Sequence, residues 1–126
     1  MLTWIILMLI LYYAGLFLPS MFLIPQIGLG AYLGTRDGDP DPGTMQARAQ
    51  RAHRNFQENL APFLSLAVLA LVLPEVNMKQ AVLGAEVVFF ARLAYLPLYL
   101  MAVPFVRSAV YTVGAVGVVM MALALV

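Results

Sequence analysis

The amino-acid sequence predicts an all-α integral membrane protein, a single domain over residues 1–126 in which four antiparallel helices cross a bilayer as one bundle. Three observations carry that prediction. Of the 126 residues, 63% are hydrophobic and only 10% charged, where an ordinary soluble domain carries roughly 25% charged. Seven basic and six acidic residues cannot cover such a chain in water, so lipid must be the solvent for most of it. The apolar residues also gather into four long runs, separated by short segments rich in turn formers and charge.

The first run extends from Leu2 to about Leu33 and exceeds the roughly 20 residues that a spanning helix needs, which predicts one tilted or kinked span containing Pro19 and Pro25. Met1-Leu2-Thr3-Trp4 has no basic n-region and no small-x-small cleavage site follows, so the segment is expected to be retained. Gly34 to Gly43 is dense in Gly, Pro and Asp and reads as a solvated loop. Thr44 suits a helix N-cap, and the second span covers about 44–74. Its apolar part, Leu60 to Leu73, is too short to cross alone, so the crossing begins near Arg54 and takes Asn55 and Glu58 into the membrane. Pro74 to Lys79 forms a second loop, and the third span covers about 80–100. Met101 to Pro104 leaves room only for a tight turn before the fourth span, about 105–126. Pro62 and Pro97 lie inside spans and free the carbonyls of Glu58 and Leu93.

Charge patterning sets orientation and excludes several functions. Arg36, Arg48, Arg51 and Arg54 cluster at the first loop, with Lys79 alone at the second, so the first loop is expected to be cytoplasmic. The third turn then falls on the same side. A net charge of +1 offers nucleic acid nothing to bind. The absence of Cys removes disulfides and thiolate chemistry, and one His cannot hold a metal alone.

Ionisable groups inside spans mark a site by default. In the second span Arg51, Arg54, Asn55 and Glu58 fall within an arc of about 100°. Arg92, Tyr95 and Tyr99 form a stripe on the third, and Arg107, Ser108 and Tyr111 begin the fourth. All three stripes can face one cavity near the cytoplasmic surface. Arg54, Arg92 and Arg107 outweigh Glu58, and Glu86 lies toward the opposite interface, so about two positive charges remain to attract an anion. Tyrosines suit a peptide-sized ligand, and the lipid side would admit an apolar second substrate. The same residues also allow a purely structural reading, with Glu58 bridging Arg92 and Arg107 and the basic residues setting topology. His53 is expected at a cap or surface, and Gly114 and Gly117 at helix packing sites.

Three motifs on three spans carry a family resemblance. Arg51-Ala52-His53-Arg54-Asn55-Phe56-Gln57-Glu58 followed by Pro62, Arg92-Leu93-Ala94-Tyr95 with Tyr99, and Arg107-Ser108-Ala109-Val110-Tyr111 resemble the MAPEG family, the membrane-associated proteins in eicosanoid and glutathione metabolism. The short first loop is similar to that of bacterial members resembling the microsomal glutathione transferases. The resemblance implies a homotrimer in a bacterial inner membrane, with glutathione as cosubstrate held between subunits near the cytoplasmic face and no metal. Carried over by position, Arg54, Asn55, Glu58, Tyr95, Tyr99, Arg107 and Tyr111 would contact glutathione, with Arg51 and Arg92 supporting them. Arg107, with Ser108, would stabilise the thiolate.

Glutathione carries a net charge of −1, or −2 as the thiolate, which suits the positive surplus. A guanidinium beside the sulfur would lower the thiol pKa from about 8.5 toward neutrality. The expected activity is transfer of glutathione to a hydrophobic electrophile or reduction of a lipid hydroperoxide. The alternative is a non-catalytic member that binds lipid or a partner protein. Tyr95 stands where the prostaglandin-forming branch has His, and Arg36 is the nearest counterpart of a basic residue at the end of the first helix.

Overall fold

A computed structural model of the protein describes residues 1–35, 38 and 43–126. The described residues form five helices: α1 (Leu2–Ile27), α2 (Leu29–Leu33), α3 (Thr44–Val72), α4 (Met78–Leu100) and α5 (Pro104–Leu123). Helices α1, α3, α4 and α5 are long and apolar enough to cross a membrane, matching the four expected spans. Arg36, proposed from sequence as a helix-one counterpart, lies outside the described residues.

The first span ends earlier than its apolar run. Gly28 sits at φ 81°, ψ 156°, a region open essentially only to glycine, and its N–H still bonds the carbonyl of Ile24 before α2 begins. Hydropathy cannot register this break because the residues on both sides are apolar. Gly43, and not Thr44, caps α3, with its carbonyl accepting from Ala47 N at 2.9 Å. Helix α4 starts two residues before the expected Gln80, because Asn77 caps it by accepting from Gln80 N at 3.2 Å. Pro104 opens α5 as its first residue, where its missing N–H costs nothing.

The interior is small. Phe63, Met8, Met121 and Val88 are its largest fully buried side chains. Around them Trp4 packs on Phe89 and Phe90 at centroid separations of 5.5 and 5.9 Å. Many large apolar side chains face outward instead, Phe105 being 88% exposed, as a lipid-solvated bundle requires.

Helices α4 and α5 form the tightest pair, through Gly84 and Gly117. A Cβ on Gly117 would lie 2.8 Å from the carbonyl oxygen of Gly84, and one on Gly84 would lie 2.7 Å from that of Gly117. Small residues at such crossings let backbones touch, as expected for Gly117. The far end of the pair is tied by Asn77 N donating to Ala124 O at 3.0 Å and Gln80 Nε2 donating to Met120 O at 3.2 Å.

Candidate functional site

At the end of the bundle where α4 turns into α5, the α4 and α5 stripes meet. Arg92 is 4% exposed, and its Nη1 donates to Asn55 Oδ1 on α3 at 2.9 Å. Its guanidinium carbon stands 5.4 Å from the ring centre of Tyr95 and 5.2 Å from that of Tyr111. The carbon of Arg107 lies 4.6 Å from the ring centre of Tyr99. Tyr95 in turn contacts Tyr99 and Tyr111, with centroids 5.7 and 6.4 Å apart. Six sequence-predicted residues, Asn55, Arg92, Tyr95, Tyr99, Arg107 and Tyr111, are thus drawn into one cluster.

These contacts are an amide and three phenol rings, which stabilise the guanidiniums without neutralising them. The two arginines that the structural reading paired with Glu58 are engaged in this other way. Gly114 explains how Arg92 fits: a Cβ there would lie 3.2 Å from its Nη2, so the glycine provides room for a charged group as well as for helix packing.

The remaining predicted residues are placed differently. On α3 the buried face runs through Gln46, Ala49, His53, Phe63 and Ala67. At about 100° per residue, Arg51, Arg54 and Glu58 point to nearly the opposite side, and all three are exposed. The stripe therefore faces out of the protomer, and only Asn55, at its edge, reaches Arg92. Ser108 is exposed and its hydroxyl donates to Pro104 O at 3.0 Å, so its one hydrogen is already committed within the helix.

Glu86 opens onto a groove of about 440 Å³ between α4 and α5, otherwise lined by apolar residues including Phe90, Ala94, Val110 and Val113. Among the described residues no cluster of His, Cys, Asp or Glu has the composition of a metal site.

Two residues do something that sequence reasoning did not anticipate. His53, expected at a cap or surface, is 8% exposed and packs beneath α1, its ring 5.0 Å from that of Tyr12. The signal was present in the small residues beside it, Ala49 and Ala52, which mark a helix contact face. Arg48, read as a topology determinant, donates from Nη1 to Leu100 O at 3.0 Å and so binds one of the unpaired carbonyls at the end of α4.

Comparison with known proteins gives one finding. The model of the MAPEG family matches residues 1–126, the whole chain. No curated protein and no solved structure matches it closely enough to count as a relative.

Proposed function

Because the chain belongs to the MAPEG family over its full length, we propose that it is an integral membrane glutathione transferase or peroxidase whose Arg92, Arg107 and tyrosine cluster binds glutathione and stabilises its thiolate. The observation that carries this reading is the pair of guanidiniums that, among the described residues, are held by neutral partners. Arg92 is spent on Asn55, Tyr95 and Tyr111, while Arg107 rests on Tyr99. Positive charge kept uncompensated at membrane depth favours an anionic ligand, and a thiol peptide with two carboxylates supplies one.

The division of labour follows from burial. Arg92 and Asn55 form the fixed floor. Arg107 is the cation next to the sulfur, since Ser108 has its hydrogen engaged elsewhere. Arg51, Arg54 and Glu58 face outward and would complete the site against a second copy of the chain, in a homotrimer with this end in the cytoplasm of a bacterial cell. Glu58 then suits the ligand's ammonium group, and Arg51 or Arg54 a carboxylate.

In transfer, the thiolate sulfur forms a bond to the electrophilic carbon and the leaving group departs with its electron pair. In peroxide reduction, the sulfur takes the terminal oxygen and the lipid leaves as its alcohol. A second glutathione then releases water and the disulfide. The apolar substrate would arrive from the lipid side.

Calorimetry on detergent-purified protein tests the proposal. Saturable glutathione binding and thiol-dependent turnover of an aryl halide or lipid hydroperoxide, lost in Arg107→Ala, are expected. No binding, together with unchanged activity in that variant, overturns it. The burial of Arg92 also favours a second reading, a non-catalytic bundle that binds lipid or a partner. That reading gains if Glu58→Gln and Arg92→Leu impair assembly while glutathione leaves the melting temperature unchanged.

A further inference from the structure

A small internal cavity lies where α1, α3 and α4 meet, walled by Gly15, Ala52, His53, Phe56, Arg92 and Tyr95 among others. Three buried polar atoms of its wall residues have no hydrogen-bond partner among the described residues: Nδ1 and Nε2 of His53 and Nε of Arg92. Burial without a partner costs each such group the hydration it has lost, and most buried polar groups avoid that cost. The free space is that of about one water molecule, and a buried water needs two or more polar partners, which these atoms supply.

A single water can match one donor to one acceptor here, with the second ring nitrogen of His53 outside the bridge. Arg92 Nε–H can only donate, whereas a neutral imidazole offers one donor nitrogen and one acceptor. A water placed between them accepts from the guanidinium and donates to the bare ring nitrogen. The geometry points to one ordered water bridging Arg92 Nε and His53, and to His53 as a positioning residue for Arg92. Asn55 holds one edge of the guanidinium through Nη1, and the water holds the edge at Nε, which fixes its tilt between the rings of Tyr95 and Tyr111.

Helix α1 shapes this bridge from the other side. The ring of Tyr12 stands against the imidazole at 5.0 Å, and Gly15 leaves open the space beside Nδ1, where an added Cβ would lie 3.5 Å away. The seating of α1 therefore reaches Arg92 through a residue one step off the polar stripe.

The chain contains a single histidine, so a ¹⁵N-histidine label reports on position 53 alone. In lipid nanodiscs without thiol, His53 is expected to show one hydrogen-bonded acceptor nitrogen and magnetisation transfer from a long-lived water. Arg92→Lys, which removes Nε, is expected to shift that nitrogen. Conversely, the Nε–H signal of Arg92, identified by its loss in Arg92→Lys, is expected to persist in His53→Gln, whose amide can meet the same water. It is expected to shift or broaden in His53→Leu. An absent water contact at His53, or an Arg92 signal unchanged in His53→Leu, overturns the proposal. Should His53→Leu fail to fold by size exclusion, the wild-type water contact decides. No thiol is used, so failure of glutathione binding leaves this result standing.

Discussion

Substituting Gly117 and Gly114 by Ala, one turn apart on α5, separates what packs the helices from what seats the arginine. At Gly117 the new Cβ meets the Gly84 carbonyl oxygen and Val88 Cγ2 at 2.8 Å, and Val88 N at 3.0 Å. Two of these atoms are backbone and cannot rotate away. Relief to ordinary contact requires α4 and α5 to part by about 0.6 Å along their crossing. Overpacking of this kind costs ~1–3 kcal/mol, and the better helix propensity of Ala returns up to about 1 kcal/mol. A net loss of about 1–2 kcal/mol is expected for Gly117→Ala. At Gly114 the Cβ meets Arg92 Nη2 at 3.2 Å and Ala91 Cβ at 3.3 Å, so a few tenths of an ångström suffice. There the strain and the propensity gain should nearly cancel. Reversible unfolding in mixed micelles, followed through the only tryptophan, Trp4, which packs on Phe89 of α4, measures both. Gly117→Ala as stable as wild type, or less damaging than Gly114→Ala, would refute the reasoning.

Asn55→Leu should remove the acceptor of Arg92 Nη1 and leave a buried donor unpaired, destabilising the protein by ~1–3 kcal/mol. Asn55→Asp should recover the bond, and melting temperatures of the two variants check the difference. Gly28→Ala forces a side chain into φ 81°, ψ 156°, with an expected cost of ~1–3 kcal/mol that the same unfolding assay reads. Under the proposed function, glutathione at a hundredfold excess over its Kd should stabilise the protein by about 2.7 kcal/mol, visible as a raised melting temperature. An S-alkyl glutathione should also protect if the sulfur faces the lipid side. No shift with either ligand counts against the site.

The four spans were legible because a bilayer filters on one quantity, apolar length, and the sequence carries that quantity openly. Their ends were less so. Asn77 and Gly43 act through single hydrogen bonds, and Gly28 through one dihedral angle, neither of which changes hydropathy. The direction in which the polar stripe on α3 faces was illegible for a related reason: three of its four residues point out of the protomer. Angular spacing correctly grouped Arg51, Arg54, Asn55 and Glu58, but it says nothing about which side the neighbouring helix occupies. The alanines at positions 49, 52 and 67 hold that information, since small residues let α1 and α4 approach. His53 belongs to that approach, and its partners on α1, Tyr12 and Gly15, carry no charge to announce them.

The backbone contact between Gly84 and Gly117 has a mechanical meaning for the cluster above it. Where main chain meets main chain there are no rotamers to rearrange, which couples α4 and α5 stiffly at this crossing. Arg92, Tyr95, Tyr99, Arg107 and Tyr111 are all carried by these two helices. Only Asn55 belongs to another body. A swing of α3 against the α4–α5 pair would therefore part the cluster at one contact, the 2.9 Å bond from Arg92 to Asn55.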